Sequence, residues 1–176
     1  MTDSHTNSEQ MAYTFKVGGK RIAVDFPHAF ALGDRFVQSG HFREAKFIFE
    51  QLAPVSNRGP RASIMLARCQ SAMGEYDSCS KTLDSTFKDE EATATDLHSA
   101  LVFLTLGFRE DAIKGLRDLA QRNTGLPTVC LVLGDAFAKL GDAKRAKACW
   151  QMAIARDQLK GGVAIAANRR LKAGNI

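Results

Sequence analysis

The residues of this chain that could perform chemistry are few, and their spacing matches no catalytic motif. Gly18-Gly19-Lys20 lacks the spaced first glycine and the following Ser or Thr of a phosphate-binding loop. A β-branched run follows it, which favours a two-residue turn in a β-hairpin. No Gly-x-Ser-x-Gly or His-Glu-x-x-His run occurs, and we interpret His28 and His98 as helix residues with ordinary hydrogen bonds. The sequence therefore predicts a protein that is not an enzyme.

The cysteines and histidines do not form a metal-binding pattern. Cys69, Cys79, Cys130 and Cys149 lie scattered in helical, mostly apolar stretches without a Cys-x-x-Cys pair. The four histidines do not cluster with them at ligand spacing. Such cysteines are typical of buried thiols in a reducing compartment, so we expect a cytoplasmic protein with no metal and no cofactor.

The positive charge of the chain is concentrated at its C-terminal end. Residues 139–176 hold nine Lys or Arg against two Asp, a local charge of +7 in a chain whose net charge is +5. Aromatic side chains that could stack on bases are not interleaved with these residues. We interpret the basic region as a solvated face of terminal helices. Binding of nucleic acid or an acidic partner through Arg169, Arg170 and Lys172 is an alternative hypothesis.

The 176 residues divide into four parts. Residues 1–10 are polar and aperiodic, which predicts a disordered tail. Residues 11–26 contain two alternating runs and predict a β-hairpin that rests on the first helices. Residues 27–158 have the periodicity of amphipathic helices, and residues 159–176 are expected to form a capping helix and a basic tail. The apolar runs are too short for a bilayer and no leader is recognised, so we expect neither a membrane span nor secretion.

The helical region repeats itself. Gly40, Gly74, Gly107 and Gly141 each follow a helical stretch, and they are separated by 34, 33 and 34 residues. The second and third units keep a weaker version of the pattern that the first and fourth share. That shared pattern consists of Leu32-Gly33, Phe36, Gly40, Ala45 and Phe49 in the first unit and of Leu133-Gly134, Phe137, Gly141, Ala146 and Trp150 in the fourth. We therefore predict four helix-turn-helix repeats.

Small residues in this pattern are expected where the two helices of a repeat cross. Gly33 would let the second helix approach at Ala45, and Gly134 would do the same at Ala146. The aromatic and leucine positions would fill the space between neighbouring pairs. We interpret them as core.

This spacing resembles the tetratricopeptide repeat family, whose pattern is Trp-x2-Leu-Gly-x2-Tyr, then Ala-x3-Phe, then Pro over 34 residues. Four units over about residues 27–158 match it. The closing proline is missing, and the first tryptophan is replaced by Ala29, Ser63, Asp96 and Cys130. The resemblance implies an all-α fold, a right-handed α-solenoid of four repeats, flanked here by an N-terminal β-hairpin and a C-terminal capping helix.

The resemblance also implies where a partner would bind. Family members hold peptide segments in a concave groove formed by the first helix of each repeat. In this chain those positions are largely aliphatic, so we predict a protein or peptide partner with an apolar segment. The candidate groove residues are Phe30, Asp34, Val37, Ile64, Arg68, Ser71, Leu97, Leu101, Leu104, Leu131, Asp135 and Ala138.

Three stretches are similar to the repeats of bacterial type III secretion class II chaperones, which bind apolar segments of translocator proteins before export. They are residues 38–45, 67–77 and 97–112. The leading hypothesis is therefore a cytoplasmic bacterial adaptor or chaperone. Nucleic-acid binding and self-assembly of the array into a homo-oligomer are the alternatives.

Overall fold

The structure is a computed structural model that describes residues 13–17, 19–54, 59–122, 126–158 and 161–173. The predicted tail at 1–10 lies outside the described residues. Over the described ranges the chain is helical apart from an N-terminal hairpin, which confirms the predicted fold class. No helix in these ranges has the length and hydropathy needed to cross a bilayer.

The hairpin consists of β1 (Tyr13–Val17) and β2 (Lys20–Val24), which pair antiparallel. Tyr13 meets Phe26 edge to face, with ring centroids 6.4 Å apart, and this contact attaches the hairpin to the helical part. The sequence pattern places Phe26 at the end of the hairpin, but it begins the first helix. The reason is Asp25, whose Oδ1 accepts a hydrogen bond from the backbone N–H of His28 at 3.0 Å and so caps that helix.

In the described chain, eight helices form four pairs joined by short turns, and a ninth helix follows. The pairs are α1 (Phe26–Gln38) with α2 (Phe42–Leu52), α3 (Gly59–Ala72) with α4 (Tyr76–Thr86), α5 (Glu91–Leu106) with α6 (Arg109–Arg122), and α7 (Pro127–Lys139) with α8 (Ala143–Arg156). The last helix is α9 (Val163–Ala173).

The four repeated glycines occupy the turns within these pairs, as predicted. Gly40, Gly74, Gly107 and Gly141 have φ angles between 75° and 89°, in the left-handed region. A side chain would be strained there, because its Cβ would crowd the following carbonyl. The recurring glycine is therefore fixed by backbone geometry.

The small residue in the first and fourth pairs allows an aromatic ring to close the helix crossing. A Cβ on Gly134 would lie 2.5 Å from Cδ1 and Nε1 of Trp150 and 3.2 Å from the carbonyl oxygen of Ala146. A Cβ on Gly33 would lie 2.8 Å from Cζ of Phe49. The predicted close approach is present, and the nearest side chain at each crossing is the aromatic residue four positions after the alanine.

Helix α9 returns to the start of the array. It contacts α8, α7 and α1, and its buried residues Val163, Ala166, Ala167 and Arg170 form one helical stripe. Gly162, which precedes it, lies so close to α1 that a Cβ there would be 2.6 Å from Cβ of Phe30. Helix α9 therefore covers the fourth repeat and also joins it to the first.

The four cysteines are buried and in the thiol form. Burial raises the pKa of Cys69 to about 12 and the pKa of Cys79 and of Cys149 to about 11. Burial also raises the pKa of Cys130, although the guanidinium of Arg156 opposes this. Because the thiolate is the reacting form, these side chains are shielded chemically as well as sterically.

Native protein at pH 8 should therefore react slowly with a thiol reagent such as 5,5′-dithiobis(2-nitrobenzoic acid). The same protein in denaturant should react rapidly at all four cysteines, because their pKa values then return to about 8.5. Absorbance of the released thiolate measures both rates. Rapid reaction of the folded protein at several sites would contradict the burial described above.

Replacement of Gly134 by Ala should destabilise the fold by about 1–3 kcal/mol, because the added methyl overlaps the Trp150 indole. Gly115→Ala is the matched control: it also lies within a helix, but its Cβ would meet Ala100 Cβ at an ordinary 3.4 Å. That control should raise the free energy of unfolding by about 0.5–1 kcal/mol, through improved helix propensity. Urea denaturation compares the two, and equal effects would rule out the close crossing.

Candidate functional site

The concave side of the array contains an open hollow of about 670 Å³. Its walls come from first helices and from α9, with contributions from α2 and α8. The apolar part of the lining includes Val37, Phe42, Ala72, Leu101, Leu104, Ala138 and Trp150. The polar part includes Gln38, Arg68, Thr105, Asp135, Lys139 and Arg170.

Half of the residues predicted from the repeat register line this hollow. They are Val37, Arg68, Leu101, Leu104, Asp135 and Ala138. Leu104 and Ala138 are half-buried, and the other four are buried beneath the hollow's surface. The repeat register thus places these six residues at one hollow, and whether they bind a peptide stays a prediction.

The other six predicted residues are fully buried in the core and not in an open groove: Phe30, Asp34, Ile64, Ser71, Leu97 and Leu131. Helix α9 covers α1, and α3 packs against both α5 and α7. Ser71, for example, donates its hydroxyl to the Leu101 carbonyl at 3.2 Å. These six side chains are buried because the first helices pack on one another and on α9, which leaves only part of the concave surface open.

A buried carboxylate, Asp135, forms the floor of the hollow. Its Oδ2 accepts hydrogen bonds from Arg68 Nη1 at 2.9 Å and from Gln38 Nε2 at 3.3 Å. Its Oδ1 accepts from Trp150 Nε1 at 3.2 Å and from Arg170 Nε at 2.5 Å. Side chains from α1, α3, α8 and α9 thus converge on one residue of α7.

Arg170 connects this carboxylate to a second one on the first helix. Its Nη1 and Nη2 donate to Oδ2 and Oδ1 of Asp34 at 2.9 and 2.8 Å, a bidentate pair, while Nη2 also reaches Asp135 Oδ2 at 2.9 Å. Arg169 lies 3.6 Å from Asp34 and is more exposed. The guanidinium of Arg170 therefore bridges the first and fourth repeats.

The charges of this cluster compensate one another. Burial by itself would raise the pKa of Asp135, but Arg170 and Arg68 outweigh burial through charge and hydrogen bonds and hold that pKa below its usual range. The carboxylates of Asp34 and Asp135 are matched by two buried guanidinium groups. The floor of the hollow is polar, but its hydrogen-bonding groups are satisfied within the protein.

The rim of the hollow carries additional positive charge. Burial lowers the pKa of Lys139, and the neighbouring cations Arg68 and Arg109 lower it further, while Asp135 opposes them. Arg109 also donates to the backbone carbonyl of Lys139 at 3.4 Å. An anionic group placed at this rim would relieve the repulsion among these cations.

Sequence reasoning missed three residues of this site. The sequence pattern places Arg170 on a solvated basic face and Trp150 in the core, and it indicates for Lys139 only that it belongs to the basic region. One signal could have located Arg170: it follows Val163, Ala166 and Ala167 at helical spacing, which predicts a buried position. Asp34 and Asp135 also occupy equivalent repeat positions, 101 residues apart.

The described residues do not contain a group of three or more His, Cys, Asp or Glu side chains that could hold a metal ion. The hollow presents paired ionic groups on its floor and apolar side chains on its walls.

Replacement of Arg170 by Ala should destabilise the protein by about 3–5 kcal/mol at neutral pH, because two buried carboxylates lose their shared partner. Arg169→Ala, at the half-exposed neighbour, is the control and should cost less than about 1 kcal/mol. Urea denaturation of both variants measures the difference.

The deficit of the Arg170→Ala variant should shrink as the pH falls toward 4. In the wild type the pKa of Asp135 is lower in the folded state than in the unfolded state, where it is about 3.9. Ionised Asp135 therefore stabilises the fold above that pH, and this stabilisation is lost as the pH falls below it. In the variant the buried Asp135 carboxyl has lost the charge of Arg170 that lowers its pKa, so it binds a proton at higher pH and acid favours the folded state. A deficit that is independent of pH would argue against the charge cluster as its cause.

The comparison with known families agrees with this geometry. Residues 36–101 match the family model for tetratricopeptide repeats, which covers the second half of α1 through most of α5. No curated protein sequence matches the chain. Repeats of this family generally provide non-catalytic surfaces for protein interaction. Residues 36–101 are thus similar to tetratricopeptide repeats, and the repeated helix pairs of the described residues form an all-α solenoid of the kind that such repeats build.

Proposed function

We propose that this protein is a non-catalytic scaffold that holds an apolar segment of a protein partner in the hollow. The observation that carries the proposal is the hollow itself, which opens on the concave side and has apolar walls contributed by five or more helices. Clefts of this kind, mostly apolar with a few fixed polar groups, are typical of binding sites.

The size of the hollow limits what it can hold. A volume of about 670 Å³ is within the range of clefts that enclose a small organic ligand. It therefore suits a few consecutive side chains of a partner, either one turn of a helix or a short extended stretch. The buried positions of α1, α3 and α5 leave no long open groove for an extended peptide.

The distribution of polarity in the hollow indicates the orientation of the segment. Leu101, Leu104 and Phe42 offer apolar contact, whereas the ion pairs of the floor already satisfy one another. The positive rim at Lys139 favours an acidic residue next to the apolar ones. We therefore propose an apolar segment with a flanking Asp or Glu.

A cytoplasmic adaptor or chaperone, of the kind that protects translocators of bacterial type III secretion, is the specific form of this proposal. It is supported by the similarity of residues 38–45, 67–77 and 97–112 to the repeats of those chaperones. The apolar walls of the hollow suit such partners, because translocator segments held before export are apolar.

The alternative of nucleic-acid binding is less well supported. Arg170 is buried and paired with two carboxylates, and Arg169 faces Asp34 and the carbonyl of Ala31. The basic surface at the C-terminus is therefore smaller than the local charge of +7 suggests. Protein binding in the hollow remains the function that the geometry favours.

Selection from a random dodecapeptide library displayed on phage tests the proposal. Peptides that bind the immobilised protein should be enriched in apolar residues with a neighbouring Asp or Glu. Calorimetric titration of the synthesised peptides should give an affinity at least about tenfold weaker for Leu104→Asp, because a charge replaces an apolar wall.

Leu106→Asp is the matched control for this experiment. It is the same substitution two residues later in α5, at a side chain that is 56% exposed and does not line the hollow. Its affinity should stay within about twofold of the wild type. Circular dichroism and thermal melts establish that both variants are folded, and equal affinities of the two variants would exclude the hollow as the site.

A further inference from the structure

Two consecutive repeats carry equivalent grooves of opposite charge. The first, here called the acidic groove, has about 300 Å³ between α5 and α6 and is lined by Phe103, Asp111 and Asp118 among others. The second, here called the basic groove, has about 340 Å³ and is lined by residues of α6, α7 and α8. Arg117, Phe137, Arg145, Met152 and Arg156 belong to the basic groove.

Comparison of the two repeats shows that the fold does not require the difference in charge between the grooves. A shift of 34 residues relates Phe103 to Phe137, Asp111 to Arg145 and Asp118 to Met152. The helices that form the two grooves have the same turn geometry, with Gly107 and Gly141 at φ 89° and 78°. The same framework thus carries a carboxylate in one repeat and a guanidinium in the next.

The charges of the grooves are complementary. In the acidic groove Asp96 is paired with Arg122, which leaves the carboxylates of Asp111 and Asp118 against the ammonium of Lys114. The lining of the basic groove has three arginines and, among the described residues, no carboxylate, although Asp142 outside the lining lies 3.4 Å from Arg145. Arg117 and Arg145 lie over the Phe137 ring, 5.8 and 5.7 Å from its centroid.

The acidic groove also exposes aromatic surface. Phe103 and Phe108 are 38% and 56% exposed, and their rings meet edge to face at 6.3 Å. Phe137, the equivalent of Phe103, is buried beneath its two arginines. Phe108 follows the turn glycine, a position that is His41, Glu75 and Asp142 in the other repeats. The turn does not need an aromatic residue there, so its exposure points to a partner.

We propose that these grooves form an interface between two copies of this chain. Phe103 and Phe108 of one copy dock on the basic groove of the other, where arginines and the 41% exposed Met152 contact the rings. Asp111 and Asp118 lie beside the aromatic pair and face the same arginines.

The arrangement of the grooves allows this contact to be reciprocal. Helix α6 contributes residues to both grooves, Asp111 and Asp118 to the acidic one and Arg117 to the basic one. A two-fold axis beside α6 therefore brings each acidic groove onto the basic groove of the second copy. The complement of each groove is carried by the chain itself, which favours a second copy over an unrelated acidic peptide.

Charge reversal tests this interface by sedimentation velocity over a wide range of protein concentration. The wild type should form a dimer whose dissociation constant rises with salt. The double variant Asp111→Lys/Asp118→Lys and the double variant Arg117→Glu/Arg145→Glu should each weaken dimerisation at least about tenfold, since like charges then face each other. An equimolar mixture of the two variants should dimerise again, because both contacts of that heterodimer are complementary.

Lys172→Glu is the control, since it changes an exposed charge on α9 that lies in neither groove, and it should dimerise like the wild type. Circular dichroism verifies folding. If the arginine variant fails to fold, Phe108→Ser, at an exposed turn position, must still weaken the dimer. A wild type that stays monomeric at every concentration, or a variant mixture that fails to associate, overturns the interface. Peptide binding at the hollow, tested separately through Leu104, is independent of either result.

Discussion

The architecture of this protein depends on the guanidinium group of Arg170, which lies between the carboxylates of Asp34 and Asp135. A repeat array has contacts only between neighbours, so its first and last units are ordinarily independent. Here the Arg170 side chain of α9 makes five polar contacts, which reach α1 of the first repeat, α7 of the fourth repeat and α9 itself. The ends of the array are thereby held in a fixed relation.

This closure determines what the concave surface can do. Residues such as Phe30 and Leu131, which would face a groove in an open array, are fully buried. What remains accessible is a hollow bounded by Leu104, Lys139 and the ion pairs of the floor. In the proposed function the hollow admits only a short segment of a partner, because burial of the other positions removes the surface along which a longer peptide would lie.

The fold could be predicted from the sequence largely because the same residue types recur at the same spacing in several repeats, so that each repeat supports the interpretation of the others. The turn glycines and the pairs Gly33 with Phe49 and Gly134 with Trp150 recur at fixed spacing, and local geometry requires them. The candidate site was predictable only in part. The repeat register selects Leu101 and Leu104, which line the hollow, but it also selects Leu131, which is buried in the core. The reason is that the register indicates which face of a helix a residue occupies but not what packs against that face.

The helix pairs, their turns and the concave face could be read from the amino-acid sequence alone, because they follow from periodicity and from contacts within about one repeat length. The contact of α9 with α1 is visible only in the folded chain, since Arg170 and Asp34 are separated by 136 positions and no local spacing relates them. The same holds for which carboxylates are neutralised and which apolar side chains stay exposed. The pairing of carboxylates and the exposure of apolar side chains both depend on the overall curvature of the array. Every helix crossing contributes to that curvature, so no single segment of the chain encodes it.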